Sequence, residues 1–296
     1  MTDLRGTARE YHWSWKNQTI TVLYEVLGAG KPILLLPAFS SVSTRDEMRG
    51  VAGHLSQHYQ VILLDWPGFG QSTRPALNYQ PALYRAFLKD FVRSQFTEPV
   101  VVVAAGHGAG YVMELAQRQP PVWAWVVLVA PTWRGPLPTA MGEHRWFYGL
   151  LRFWVKLPIL GQLLYFLNTL SPFLRLMYRR HVFAEKQHVT PALVAQKQRS
   201  ARQPGARHAA VAFVTGALDP VRQRSNFVDY FQPLPPVPVL LVIGEQTPPK
   251  SLEEMEFLAH FTAAQVHRMP GSLGLHEEYP DQLVDGILPF LRKYLS

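Results

Sequence analysis

The sequence predicts an α/β protein: a mostly parallel central sheet flanked by helices, carrying a helical cap insertion. Three observations carry that expectation. Apolar runs rich in β-branched residues recur at 33–36, 100–105, 125–130 and 238–243, with no alternation of polar positions, as strands covered on both faces require. Stretches of helical length separate most of them, so strand and helix alternate along the chain. Between 131 and 237 the alternation lapses into a basic segment of helical composition, rich in proline and aromatic residues. The core is therefore assigned to 1–130 and 238–296 and the cap to 131–237, within one structural domain. A chain of 296 residues, 48% hydrophobic and 17% charged, can bury such a core, and disorder is disfavoured.

The elements follow in order. Residues 11–16 and 19–26 read as strands around the turn Asn17-Gln18, an opening hairpin. A third strand at 33–36 leads to a helix over 46–58 and a fourth strand at 60–64. A helix over 81–94, the strand 100–105, a glycine-rich turn, a helix over 111–117 and the strand 125–130 complete the first block. Beyond the cap come the strand 238–243, a helix over 252–260, a short strand at 265–269 and a closing helix over 281–294. No internal repeat, low-complexity tract or inter-domain linker interrupts the chain.

The turn places Gly106, Gly108 and Gly110 immediately after a buried strand. A dinucleotide-binding loop needs its third glycine one residue later and an acid at the end of the next strand. Here Tyr111 occupies the first place, and the next strand ends in Val129-Ala130-Pro131-Thr132-Trp133. The other strand-turn-helix motif with this spacing is the nucleophile elbow, G-x-S-x-G, whose small flanking residues let a sharp turn present the middle side chain. In that frame the middle residue is Gly108.

Other landmarks stand in a matching order. Leu36-Pro37-Ala38-Phe39 follows the third strand, and Asp65-Trp66-Pro67-Gly68-Phe69-Gly70-Gln71-Ser72 follows the fourth. PVLLVIGEQTPP at 238–249 and MPGSLGLHEEYP at 269–280 complete the series. Together these stretches resemble the α/β-hydrolase superfamily, in its epoxide-hydrolase-like and esterase-like branch, over nearly the whole chain. The resemblance implies the α/β-hydrolase fold and a Ser-His-Asp type of site. On that pattern the nucleophile falls on Gly108, the acid on Thr247 and the base on Leu273, none of which can perform its role. Oxyanion-like N–H groups would come from Phe39 and Ala109. Ligand-lining positions would be His107, Trp133 and Leu273, with His107 also the one weak catalytic candidate; His276, Glu278 and Ser72 are expected to be structural or exposed. Glu245 is considered as a relocated acid and set aside. The polar run Ser40, Ser41, Ser43 and Thr44 is expected to cap the following helix. The favoured expectation is a pseudoenzyme that binds a hydrophobic ligand, a membrane surface or a protein partner. The alternative is a hydrolase or lyase acting on a lipophilic ester-like substrate by a non-standard mechanism.

The formal charge of +8 is concentrated rather than spread. Arg145, Arg152, Lys156, Arg175, Arg179 and Arg180 occur in a stretch with no acid and with many aromatics, including Trp146 and Trp154. Such a segment suits a hydrophobic small molecule or lipid, an anionic membrane surface or an acidic protein, and nucleic acid is disfavoured. The charge-free run 157–174 approaches spanning length, but Pro158, Gly161 and Pro172 break it. No cysteine is present, which excludes disulfides and a thiolate nucleophile. The histidines show no metal-ligand spacing, so no metal and no cofactor is expected. The N-terminal stretch lacks the apolar core of a signal peptide, and an intracellular protein, soluble or peripheral to a membrane, is expected.

Overall fold

The computed structural model describes residues 6–142, 147–232 and 237–295. Arg145 and Trp146 lie outside the described residues, as does the side chain of Lys156. Eight strands form one sheet: β1 (Thr7–Trp15), β2 (Gln18–Leu27), β3 (Pro32–Leu36), β4 (Gln60–Leu64), β5 (Val100–Ala105), β6 (Trp123–Val129), β7 (Val239–Gly244) and β8 (Gln265–Met269). Their spatial order is β1-β2-β4-β3-β5-β6-β7-β8. The opening hairpin β1–β2 is antiparallel and β2 joins β4 antiparallel; β3 to β8 run parallel.

The helices are α1 (Arg49–Leu55), α2 (Pro81–Gln95), α3 (Gly108–Ala116), α4 (Pro136–Met141), α5 (Phe147–Lys156), α6 (Pro158–Asn168), α7 (Ser171–Met177), α8 (Pro191–Ala201), α9 (Ala206–Val214), α10 (Arg224–Val228), α11 (Pro249–Phe261), α12 (Leu275–Glu278) and α13 (Pro280–Leu295). Successive residues of the buried strands divide between two apolar layers, as the twofold period of a strand demands. Leu34, Leu36, Val102, Ala104 and Leu128 pack with α2 and α3. Ile33, Leu35, Val101, Val103 and Val127 pack with α1 and α13. Helices α4 to α10 fill the segment between β6 and β7, and that segment holds no strand among the described residues.

Two helix starts differ from expectation for a physical reason. The segment over 46–58 opens as a 3₁₀ turn (Arg45–Met48) before α1. Its first N–H, on Arg45, is capped by Asp65 Oδ1 at 2.7 Å, and Thr44 makes no side-chain cap. The helix after β5 begins at Gly108 rather than at 111, because the chain reverses earlier than expected.

Asp65 is fully buried and anchors the loop after β4. It accepts from the Arg45 backbone, from the Gln71 N–H at 2.8 Å and from Arg45 Nη1. Arg45 Nε also reaches Glu25 at 2.8 Å, and Arg49 grips the same carboxylate at 3.0 Å. Burial pushes the Glu25 carboxyl up, but the two guanidinium groups outweigh it and hold Glu25 below the usual carboxylate range. Gly70 lies beside Asp65 with φ +53°, and a Cβ there would overlap Asp65 Oδ1. Gly70→Ala is therefore expected to destabilise the fold by about 3 kcal/mol, combining left-handed strain with displacement of a buried charge. Urea unfolding measures it; a loss under about 1 kcal/mol would show that the loop absorbs a side chain.

Candidate functional site

The sheet presents its C-terminal edge where β3 and β5 diverge in connection, the place where open parallel sheets carry their ligand crevices. The loops after β3, β5 and β6 meet there. The apex of the turn after β5 is Gly106, with φ +52°, and this differs by two residues from the expected frame. Gly106 donates its N–H to Val129 O at 2.9 Å, and its carbonyl accepts from Ala109 and Thr132 at 3.2 and 3.1 Å. The small residues that permit the reversal are Ala104 and Gly108. Gly108 is already the first residue of α3, and a Cβ on it would meet Trp66 at 3.5 Å. A Cβ on Gly106 would instead face Ala38 at 3.1 Å and Thr132 Oγ1 at 3.8 Å. The site-facing position is thus Gly106, and Gly108 belongs to helix packing.

The same shift moves the oxyanion-like positions. The Ala109 N–H is spent on Gly106 O in the first turn of α3, so the donor following the apex is the N–H of His107. Neither that N–H nor the one of Phe39 has a backbone acceptor among the described residues. Phe39 stacks on Trp66 at 4.7 Å, and Trp66 Nε1 donates to Pro37 O at 2.8 Å, which fixes the loop after β3.

Thr247 is buried after β7, and its hydroxyl has no partner among the described residues. Glu245 is exposed there. Leu273 is half-buried against the α1–α13 layer. The surrounding loop serves as an anchor for the cap. Ser272 Oγ donates to His181 O at 3.0 Å and Gly274 N to Val182 O at 2.7 Å. The Glu278 carboxylate accepts from Ala184 N and Glu185 N, each at 2.7 Å. Glu278 and His276, expected as structural or exposed positions, are both enclosed, because cap residues distant in sequence close over them.

His107 is fully buried beside the apex. Its Nε2 lies 2.9 Å from Leu218 O and 3.4 Å from Asp219 Oδ1. A carbonyl can only accept, so Nε2 carries the proton and Nδ1 holds a lone pair, with no partner among the described residues. Burial pushes the imidazole below its ordinary value against the pull of Asp219, and the ring is neutral at pH 7. Asp219 also accepts from Gly135 N at 2.8 Å. Trp133, expected as a ligand-lining position, is pinned through Nε1, which donates to Glu254 at 3.2 Å, and its ring tilts against Phe227. Trp133 shares the α2–α3 apolar layer with Phe39, Tyr111 and Phe213, which enclose His107, whereas Leu273 lies against the opposite layer.

A buried latch joins cap and core. Lys197 on α8, 2% exposed, lies 3.2 Å from Glu47 and 2.9 Å from Glu277, and His276 stands 3.8 Å from Glu47. Burial pushes the Glu47 carboxyl up, but Lys197 and His276 pull it further down, below the usual range. Sequence reasoning missed Lys197, Glu47 and Asp219. Their partners are distant in the chain, and no local spacing marks them.

The basic cap residues do not share one fate. Arg175, Arg179 and Arg180 are exposed, whereas Arg152 turns inward to Thr215 Oγ1 at 3.4 Å and is partly desolvated. Around them Phe153, Trp154, Ile159, Leu163 and Phe173 face outward, with Ile159 87% exposed. No single helix among the described residues is long and apolar enough to cross a membrane. The charge-free run divides between α6 and α7, and the apolar pair α5–α6 bends by 103°.

With this geometry in place, comparison with known proteins is informative. The model of the alpha/beta hydrolase family matches residues 33–285. An esterase from Thermogutta terrifontis superposes with a TM-score of 0.72 at 17% identity, covering 98% of this chain and 100% of that one. A putative epoxide hydrolase from Pseudomonas aeruginosa does so with 0.71 at 20% identity, covering 98% of each chain. An uncharacterized protein of Mycobacterium tuberculosis is 31% identical over 107 residues, 36% of this chain and 31% of the relative, so the match spans about a third of it.

Replacing Lys197 by Met is expected to cost about 3–5 kcal/mol, since two carboxylates would then face each other without a cation. The double variant Lys197→Met, Glu47→Leu should recover part of that loss. In the unaltered protein the Glu47 contribution is complete above pH 4.5 and falls away as pH drops through its lower folded value. Urea unfolding against pH measures both; no difference in acid sensitivity between the parent and the double variant would remove the latch.

Proposed function

The chain belongs to the alpha/beta hydrolase family, and from that premise we propose that it acts without a covalent nucleophile at its elbow, as a binder of an apolar ligand. The observation that carries this reading is the apex residue. Gly106 occupies the left-handed position from which this turn presents a side chain, and glycine has none. Thr247 after β7 and Leu273 after β8 supply neither an acid nor a base. The loop around Leu273 is engaged in holding the cap. The solved relatives named as hydrolases share the fold with this chain, and their identities near 20% carry the likeness no further.

In this reading the exposed apolar face of α5 to α7 docks on an anionic membrane surface. Phe153, Ile159 and Phe173 supply the insertion, and Arg175, Arg179 and Arg180 the attraction to lipid head groups. Co-sedimentation with phosphatidylserine-containing vesicles should exceed that with neutral vesicles. Charge reversal at Arg179 and Arg180 should abolish the difference. Equal binding to both vesicle types would remove the docking face.

One observation favours a second reading, hydrolysis by a water molecule rather than by a side chain. His107 is oriented by Leu218 and Asp219 through Nε2, which leaves the Nδ1 lone pair without a partner among the described residues, as a general base requires. A fluorophosphonate probe and a panel of acyl esters separate the readings: the binder gives no labelling and no turnover. Turnover without labelling, lost in His107→Ala and constant above pH 6.5, would establish the second reading instead. On either reading the depressed His107 value has one consequence for stability. The unfolded chain takes up the proton first, so this contribution is complete above pH 6.5 and is lost as pH falls through the folded value.

A further inference from the structure

The structure carries a second polar centre at the seam between cap and core, independent of what happens at Gly106. Arg74 follows the loop that Asp65 anchors. Its backbone passes under the start of α9, where Gly205 leaves room for it: a Cβ there would overlap the Arg74 carbonyl oxygen and meet Arg74 Cβ at 2.9 Å. Arg74 Nη1 donates to Gln203 Oε1 at 2.8 Å. The other edge of the guanidinium, Nε and Nη2, is buried with no acceptor among the described residues. That edge is the one that forms parallel bonds to a carboxylate or phosphate.

The charge balance around it is incomplete. Burial lowers the affinity of Arg74 for its proton, yet a guanidinium remains charged at any physiological pH. Asp65 is the acid near enough to act on it, and both Asp65 oxygens are already engaged by Arg45 and Gln71. Arg74 as a whole is half-buried, but its two enclosed donors carry a cost unless an anion or water completes them. Arg74 lines a cavity with Ser41, Ser43, Gly68, Gly70, Ser200 and Ala206, which has about 10 Å³ of space for water and is open to solvent on one side. That space takes about one water-sized group, so one oxygen of an anion reaches the enclosed donors while the rest of the anion lies in the open part of the cavity. One residue beyond Ala206, Arg207 has a second buried Nε without an acceptor among the described residues, and its Nη1 reaches Gln162 at 2.6 Å.

We propose that Arg74 forms a binding site for a single oxyanion group, a carboxylate or a phosphate, at the cap–core seam, with Ser41 and Ser200 offering hydroxyl donors beside it. The anion ties the loop after β4 to α8 and α9 and thereby closes the cap on the core. Calorimetric titration and thermal unfolding of the full chain with inorganic phosphate and with octanoate, against chloride at equal ionic strength, test it. Both anions, or one of them, should bind and raise the unfolding temperature where chloride does not. Phosphate alone would indicate a free or esterified phosphate, and a preference for octanoate the carboxylate of an apolar ligand. Arg74→Gln should weaken binding at least about tenfold, and Arg74→Lys, which keeps the charge and the packing but loses the fork, should weaken it measurably. Absence of binding by the parent chain, or equal binding by the parent and Arg74→Lys, overturns the proposal.

Discussion

Everything at the candidate site follows from one backbone constraint. A strand buried on both faces must turn into a helix that packs on the same sheet, within two residues. The reversal places Gly106 in the left-handed region and makes its carbonyl the shared acceptor for Ala109 and Thr132. That pair of bonds ties β5, the start of α3 and the loop after β6 together. Space around the turn is tight: Ala38 and Thr132 stand opposite the apex, and Trp66 and Ala104 stand against Gly108. Gly110, one turn on, allows Pro220 to approach so closely that a Cβ would overlap its ring. These restrictions concern space, and they hold whether or not the apex bears a reactive group.

The second organising force is the cost of burying charge. Each enclosed ionic group has been given partners from distant segments, and those partnerships determine how the loops and cap lie. Asp65 with Arg45, Glu25 and Arg49 joins β2, β4 and α1. Lys197 with Glu47 and Glu277 joins the cap to the loop after β8. Such groups contribute little net stability compared with an apolar replacement, but removing one partner is expensive, so they specify one docking of cap on core. Arg74 departs from that rule, and its two unmet donors stand where the cap and the loop after β4 come together.

The sequence made the sheet legible because five of the six parallel strands, β3 to β7, are buried on both faces, and continuous apolar runs mark them directly. The order of elements and the helical character of the cap were equally open to inspection. The frame of the turn was not. Ala104-Ala105-Gly106-His107-Gly108 and Gly106-His107-Gly108-Ala109-Gly110 both satisfy the small-residue pattern, and only the positive φ at Gly106 distinguishes them. The error carried through to Ala109, whose N–H is consumed inside the helix. The partners of His276, Glu278 and Arg152 were hidden for another reason. Their environments are supplied by segments far along the chain, Glu47 for the first, 184–188 for the second and Thr215 for the third.

The use made of the loop after β8 bears on the choice between binding and catalysis. A histidine acting at this place must be free to reach the apex and to change its proton with each turnover. Here the loop is fixed at three points, by Ser272 to His181, by Gly274 to Val182 and by Glu278 to two backbone N–H groups. Leu273 rests between these anchors on an apolar layer. A segment so committed contributes rigidity to the cap, and rigidity there opposes the opening through which a substrate would enter and a product leave. His107 meets the opposite conditions. Its orientation is fixed by Leu218 and Asp219, but its ring is enclosed by Phe39, Tyr111 and Phe213, away from bulk water. A base without access to water cannot turn over until that aromatic shell moves.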